Sequence, residues 1–190
     1  MNYREVLDFW FNELRPRDWF NGGDSVDRAI EERFEPLIES VHQGHCQHWL
    51  ESPQGRLASI IVLDQFPRNI YRRTPRSFAY DARALELSKE GVSQGVDLKL
   101  QPIQRVFFYL PLEHSEKMED QDLSLERFAR VVLNAKPEEA ETFRSYLHYA
   151  WRHYEIIKRF GRYPHRNDVL GRQATPAEVK FLKQPGSSFL

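Results

Sequence analysis

Carboxylates, imidazoles and guanidiniums gather in three short segments of this chain. The first is Asp64-Gln65-Phe66-Pro67-Arg68-Asn69, the second Leu110-Pro111-Leu112-Glu113-His114-Ser115-Glu116, and the third Arg162-Tyr163-Pro164-His165-Arg166-Asn167. Each sets polar or ionisable groups beside proline and aromatics at the edge of an apolar run. Burial is expected there, and an unpaired charge or amide would be expensive. Such groups are kept where they pair with one another or where they serve a site.

Acid–base chemistry has five candidates: Glu113, His114, Glu116, His153 and His165. At helical spacing Arg105, Tyr109, Glu113 and Glu116 share one face. Two acids buried together raise one pKa, which is how a general acid or base is made, while a nearby Arg105 lowers both. His114 falls towards Phe107 and Leu110, and His153 lies in a stripe with Tyr149, Ile156 or Ile157, and Phe160. An imidazole on an apolar face is more often a hydrogen-bonded core residue than a ligand or base.

Ligand binding has its own candidates: Asp64, Gln65, Arg68, Asn69, Arg105, Arg159, Arg162, Arg166 and Asn167. Guanidinium groups are the usual forks for carboxylate or phosphate. A structural role competes with this one. Asp64 and Arg68 stand four residues apart and suit an internal ion pair, with Asn69 capping the helix end.

Several chemistries are disfavoured. The histidines and glutamates are of metal-ligating type, yet there is no His-Glu-x-x-His and no pair of Glu-x-x-His motifs, so no metal and no cofactor is expected. A Gly-rich phosphate loop and a Gly-x-Ser-x-Gly elbow are missing too. Cys46 is the single cysteine, which rules out an internal disulfide and a thiolate cluster and fits a half-buried helix residue. A net charge of -1 and a pI near 6.7 give no pull towards nucleic acid or anionic lipid. The early Arg4, Glu5 and Asp8 do not suit a signal peptide, and no segment approaches the roughly 20 apolar residues that cross a bilayer. A soluble, cytoplasmic protein is expected.

The elements that must position these residues are helical throughout. Val6, Leu7, Trp10, Phe11 and Leu14 form a first stripe, stopped by Pro16. A second helix opens at Asp24 or Ser25, carries Ile30, Phe34, Leu37, Ile38 and Val41, and ends at Gly44. A short helical turn surrounds Trp49, and Pro53 with Gly55 reads as a loop. The run from Leu57 to Leu63 is the most buried helix. Thr74-Pro75 reads as a helix start, with Gly91 and Gly95 at the stop, and Pro102 opens another helix. Further helices cover Leu123 to Leu133 and about Pro137 to Phe160, and Thr175-Pro176-Ala177-Glu178 is a capping box. Bends or breaks are expected at Pro36, Pro67, Pro111 and Pro164. Residues 1–183 are expected to form a single all-α domain and residues 184–190 a frayed tail.

The three segments, with Asp8-Phe9-Trp10-Phe11, Asp120-Gln121 and Leu170-Gly171-Arg172, resemble the uncharacterised bacterial family DUF924 from about residue 3 to 183. The resemblance implies a single all-α domain of tetratricopeptide-like architecture, an α/α superhelix of antiparallel helix pairs, and it implies no established activity. Two functional expectations follow. In one, the three segments converge on a polar pocket for a small anionic molecule, with hydrolysis as the candidate reaction. In the other, the chain is a helical interaction module for a peptide or partner, and the polar segments are cross-links.

Overall fold

The structure, a computed structural model, describes residues 2–187. In chain order its α-helices are α1 (Tyr3–Asp8), α2 (Asp18–Asn21), α3 (Gly23–His42), α4 (Pro53–Ile70), α5 (Asp81–Ser93), α6 (Pro102–His114), α7 (Met118–Leu133), α8 (Ala140–Phe160) and α9 (Pro176–Leu182). A π-helical turn over Phe9–Glu13 continues α1, and short 3-10 turns lie between α3 and α4, α4 and α5, α5 and α6, and α8 and α9. No strand occurs among the described residues. The all-α expectation holds.

Backbone contacts divide the chain into two compact units: Met1–Arg72 with Arg76–Leu112, and Arg73–Pro75 with Glu113–Leu190. In the first unit α4 is the axis. Leu57 through Leu63 is buried along its whole length, because α1, α3 and α5 all pack on it. The aromatic centre holds Phe9, Trp10, Phe34 and Phe66, with Phe107 edge-on to Trp10 at 5.6 Å. At Gly91 a Cβ would meet the Phe108 ring at 2.4 Å and Arg56 Cδ at 2.8 Å. That glycine lets two side chains press on the backbone of α5.

In the second unit α7 and α8 pack side by side. Ile156, Ile157 and Tyr163 form a buried cluster with Met118, Phe160 and Phe181 against it. Gly161 ends α8 at φ 68°, a left-handed conformation that a side chain would resist. Thr175 closes the expected capping box, accepting from the Glu178 N–H while Glu178 accepts from Thr175. The tail is packed as far as it is described: Ser187 is buried, and the Gly186 carbonyl accepts from Arg152. Residues 188–190 lie outside the described residues.

Several expected boundaries need correction. Helices α3, α4 and α6 run on through Pro36, Pro67 and Pro111 instead of breaking there. In two of these helices the carbonyl one residue beyond the one the proline abandons accepts from a side chain. Arg68 donates to the Asp64 carbonyl at 2.7 Å, and Ser88 to that of Phe108 at 2.6 Å. Neither Pro53 nor Gly55 is in a loop. Ser52 caps α4, accepting from the Gly55 N–H, and Pro53 takes the first helical position. Thr74-Pro75 opens only a 3-10 turn, and α5 begins later at Asp81.

Candidate functional site

The first motif segment ties helices together within the first unit. Asp64 is fully buried, and Arg68 lies 3.1 Å from its Oδ1 while gripping Asp81 through two bonds of 2.9 Å. The guanidinium thereby joins the last turn of α4 to the first turn of α5, where a carboxylate also suits the helix dipole. Gln65 donates to Asp64, and Asn69 donates to Asp27 at 2.8 Å, tying α4 to α3. Arg105 is also committed, donating to the Leu98 and Leu100 carbonyls.

The second and third segments meet in the second unit around the end of α6. The last carbonyls of a helix lack intrahelical partners. Here the amide of Gln121 donates to the carbonyls of Glu113 and Ser115, and the Tyr163 hydroxyl donates to that of Glu113. Ser115 in turn donates to Asp120 at 2.7 Å. This explains why Asp120-Gln121 accompanies the other motifs: both residues finish α6.

The Glu113 side chain, only 4% exposed, reaches the buried His153 on α8, whose Nδ1 lies 2.9 Å from Glu113 Oε1 and 2.9 Å from the Tyr149 carbonyl. The Tyr149 carbonyl can only accept, so Nδ1 carries a proton, and in the neutral form of the ring Nε2 is the basic nitrogen. His114 stands 6.3 Å from the His153 ring. Tyr163 sits edge-on to His153 at 5.5 Å, and His165 lies tilted against Tyr163 at 5.5 Å. The guanidinium of Arg166, itself buried, lies 4.4 Å from the Tyr163 ring centre. Burial pushes the Tyr163 phenol up, so it stays protonated. Burial and then the neighbouring Arg166, His153, His114 and Arg172 lower His165 to about 3, which keeps it neutral.

Other candidates in the same segments are occupied elsewhere. Burial would raise Glu116, but bonds from Arg172 at 2.7 Å and 3.1 Å and from the Tyr163 N–H at 2.8 Å outweigh it and hold the carboxyl below its usual range. Arg162 forks onto Glu178 at 2.6 Å and 2.8 Å and also donates to the Gln173 carbonyl. That fork, with help from Thr175 and Asn167, drives Glu178 far below the ordinary carboxylate range. Asn167 is buried beside it. Arg159 is exposed and lies over Phe160 and Phe181.

The structure thus brings together Glu113, His114, His153, His165 and Arg166. Tyr163, Gln121 and Arg172 are the partners that single-residue reasoning did not select, although they stand within or beside the motifs. Among the described residues, no group of His, Cys, Asp or Glu is arranged to hold a metal ion.

A concavity of about 830 Å³ belongs to the first unit and is lined by other residues, among them Tyr3, Phe11, Trp19, Gln54, Gln101 and Gln104. None of the candidates named above lines it. The π-helical turn shapes this groove, and Trp19 closes its N–H onto the Trp10 carbonyl at 2.7 Å. The groove offers shape, the amides of Gln54, Gln101 and Gln104, and the charged Arg4, Glu5 and Asp8.

Fold and site together define an all-α protein with a buried carboxylate–imidazole pair among further imidazoles and arginines. The chain belongs to the DUF924 family of bacterial proteins of unknown function, whose model matches residues 6–186. It is similar to the solved structure of a protein of unknown function from Agrobacterium tumefaciens, at 33% identity and a TM-score of 0.85, over 95% of this chain and 96% of that one. No curated protein matches it. Among the described residues, no helix is long and apolar enough to cross a membrane.

Proposed function

We propose that the second unit binds a small anionic molecule at the cluster of His153, His165 and Arg166, with Glu113 and His153 as its acid–base pair. The carrying observation is the 2.9 Å contact between Glu113 and Nδ1 of His153, which leaves Nε2 as the basic atom. A carboxylate placed in this way fixes the tautomer and orientation of the imidazole. Arg166, stacked on Tyr163, supplies a planar cation for carboxylate or phosphate. Hydrolysis is a reaction such a base supports, since it can take a proton from water.

The test is an NMR titration of the imidazole signals with phosphate and with acetate. His153 and His165 should shift saturably while His45 and His48 do not, and Arg166→Gln should abolish the response. Uniform weak shifts at all histidines would sink the reading.

A second reading places a peptide in the groove of the first unit and takes the polar segments as cross-links of a tetratricopeptide-like module. It is favoured by the amides of Gln54, Gln101 and Gln104 beside the aromatic Tyr3, Phe11 and Trp19. Amides pair with peptide groups, and the rings offer surface for apolar side chains. Trp19 fluorescence against a library of short peptides checks it; a flat response to every peptide removes this reading.

A further inference from the structure

Resting on the groove reading, we infer that the concavity of the first unit receives an extended stretch of another protein in which a lysine or arginine stands beside a large apolar side chain.

The apolar stripe of α1 is wider than the core it serves. Val6 and Trp10 are wholly buried, whereas Leu7 and Phe11, one position farther round the helix, stay half-buried and line the groove. Tyr3 continues this second row at helical spacing, and Ile103 joins it from the start of α6. The π-helical turn that carries Phe11 closes through the Leu14 N–H on the Phe9 carbonyl at 3.1 Å, and turns of this kind recur at functional sites. From Tyr3 to Asn12 the row runs about 14 Å at the helical rise. An extended chain covers that length with about four residues.

Polar groups of two kinds border the row. Gln54 at the start of α4 and Gln101 and Gln104 at the start of α6 bring amides, which donate to and accept from the backbone groups that an extended chain leaves unpaired. From α1 come Arg4, Glu5 and Asp8. Glu5 accepts from the Asn2 N–H through Oε1, and Asp8 from the Asn12 amide through Oδ1, so the partner of each is neutral. Among the described residues neither carboxylate lies in an ion pair. Arg33 on α3 feels both charges, yet Glu13 grips it through two bonds of 2.6 Å and 2.9 Å and its guanidinium lies over Phe9 and Phe34. Arg4 lies 6.0 Å from the centre of the Tyr3 ring, at the opening of α1. Glu5, Asp8 and Glu13 set against Arg4 and Arg33 leave one negative charge. A basic side chain is what this border lacks, and an acidic one would be repelled.

The probes are short peptides, acetylated and amidated so that their ends carry no charge, each with one large apolar residue beside lysine, glutamine or glutamate. They are titrated into the whole protein by calorimetry. Lysine peptides should bind roughly tenfold more tightly than their glutamate counterparts, with glutamine between them. Asp8→Asn and Glu5→Gln keep an oxygen to accept from Asn12 and Asn2, and each should weaken the lysine peptides by about threefold while leaving the glutamine peptides unchanged. Either variant alone carries this arm, should the other fail to fold. Glutamate peptides that bind as tightly as lysine peptides, or a lysine preference that survives intact in the variants, overturn the inference and leave the groove reading standing. Failure of every peptide to bind overturns the groove reading with it.

Discussion

His153 and Glu113 are joined through a single nitrogen: Nδ1 lies 2.9 Å from Glu113 Oε1 and equally close to the carbonyl of Tyr149, one turn earlier on α8. One ring proton serves two acceptors, so the tautomer is set twice over. Glu113 is held at its backbone too, where Tyr163 and Gln121 bond its carbonyl. A carboxylate fastened at both ends has little freedom to leave the imidazole. This differs from Asp64, whose partner Arg68 is shared with Asp81 and whose role ends in joining two helices.

The neutral His165 leads to an expectation about acid. Its pKa is lowered from an ordinary value of about 6.5 to about 3 in the fold. The unfolded chain therefore takes the proton more readily, so this group's contribution to stability is complete above the unfolded value and lost as pH falls towards the folded one. Glu116 and Glu178, both held below the usual range, act the same way but only below an unfolded value of about 4.3. Between those two onsets the histidine acts apart from these two carboxylates. Denaturant midpoints should fall on moderate acidification in the native protein and fall less in His165→Gln; identical slopes would contradict the burial argument.

Local chemistry made some elements legible. Pro102 opens α6, Gly161 stops α8, and the Thr175 box starts α9, because each depends on residues within one turn. The prolines misled for the opposite reason. A proline inside a helix costs about 3 kcal/mol locally, and burial of the apolar residues around Pro67 and Pro111 outweighs it. The candidate site was legible as a set of residue types on buried faces. Which arginine belonged to it was not: Arg162 and Arg166 share one segment, and only the distant Glu178 takes the first of them away. Nor does any spacing announce the groove at Trp19, which is made by packing.

Pro36 differs from Pro67 and Pro111 in having its own ring outside the core. It lies exposed inside α3, where it denies the Glu32 carbonyl its usual donor. Replacing proline with alanine there removes a helix penalty of about 3 kcal/mol and returns roughly 1 kcal/mol of disorder to the unfolded chain. Pro36→Ala should therefore stabilise the protein by about 1 to 2 kcal/mol in urea melts. A destabilised variant would mean that the ring makes a contact the helix needs.

On the anion reading, Arg68 is a structural guanidinium and Arg166 one kept for a ligand, and truncation tells the two roles apart. Truncating Arg68 to alanine strands Asp64, fully buried, and Asp81 beside it, and breaking such a pair costs about 3 to 5 kcal/mol. Arg166 rests on the Tyr163 ring, an interaction worth about 1 to 2 kcal/mol. Its burial brings a cation against His165, which is lowered in part by that charge. Functional sites retain such charges at a cost to stability. Melts of the two variants should therefore differ, with Arg68→Ala severely weakened and Arg166→Ala close to the native protein. If Arg166→Ala proves as damaging as Arg68→Ala, Arg166 is a structural cross-link, the anion reading loses its cation, and the groove of the first unit becomes the better place to look for a partner.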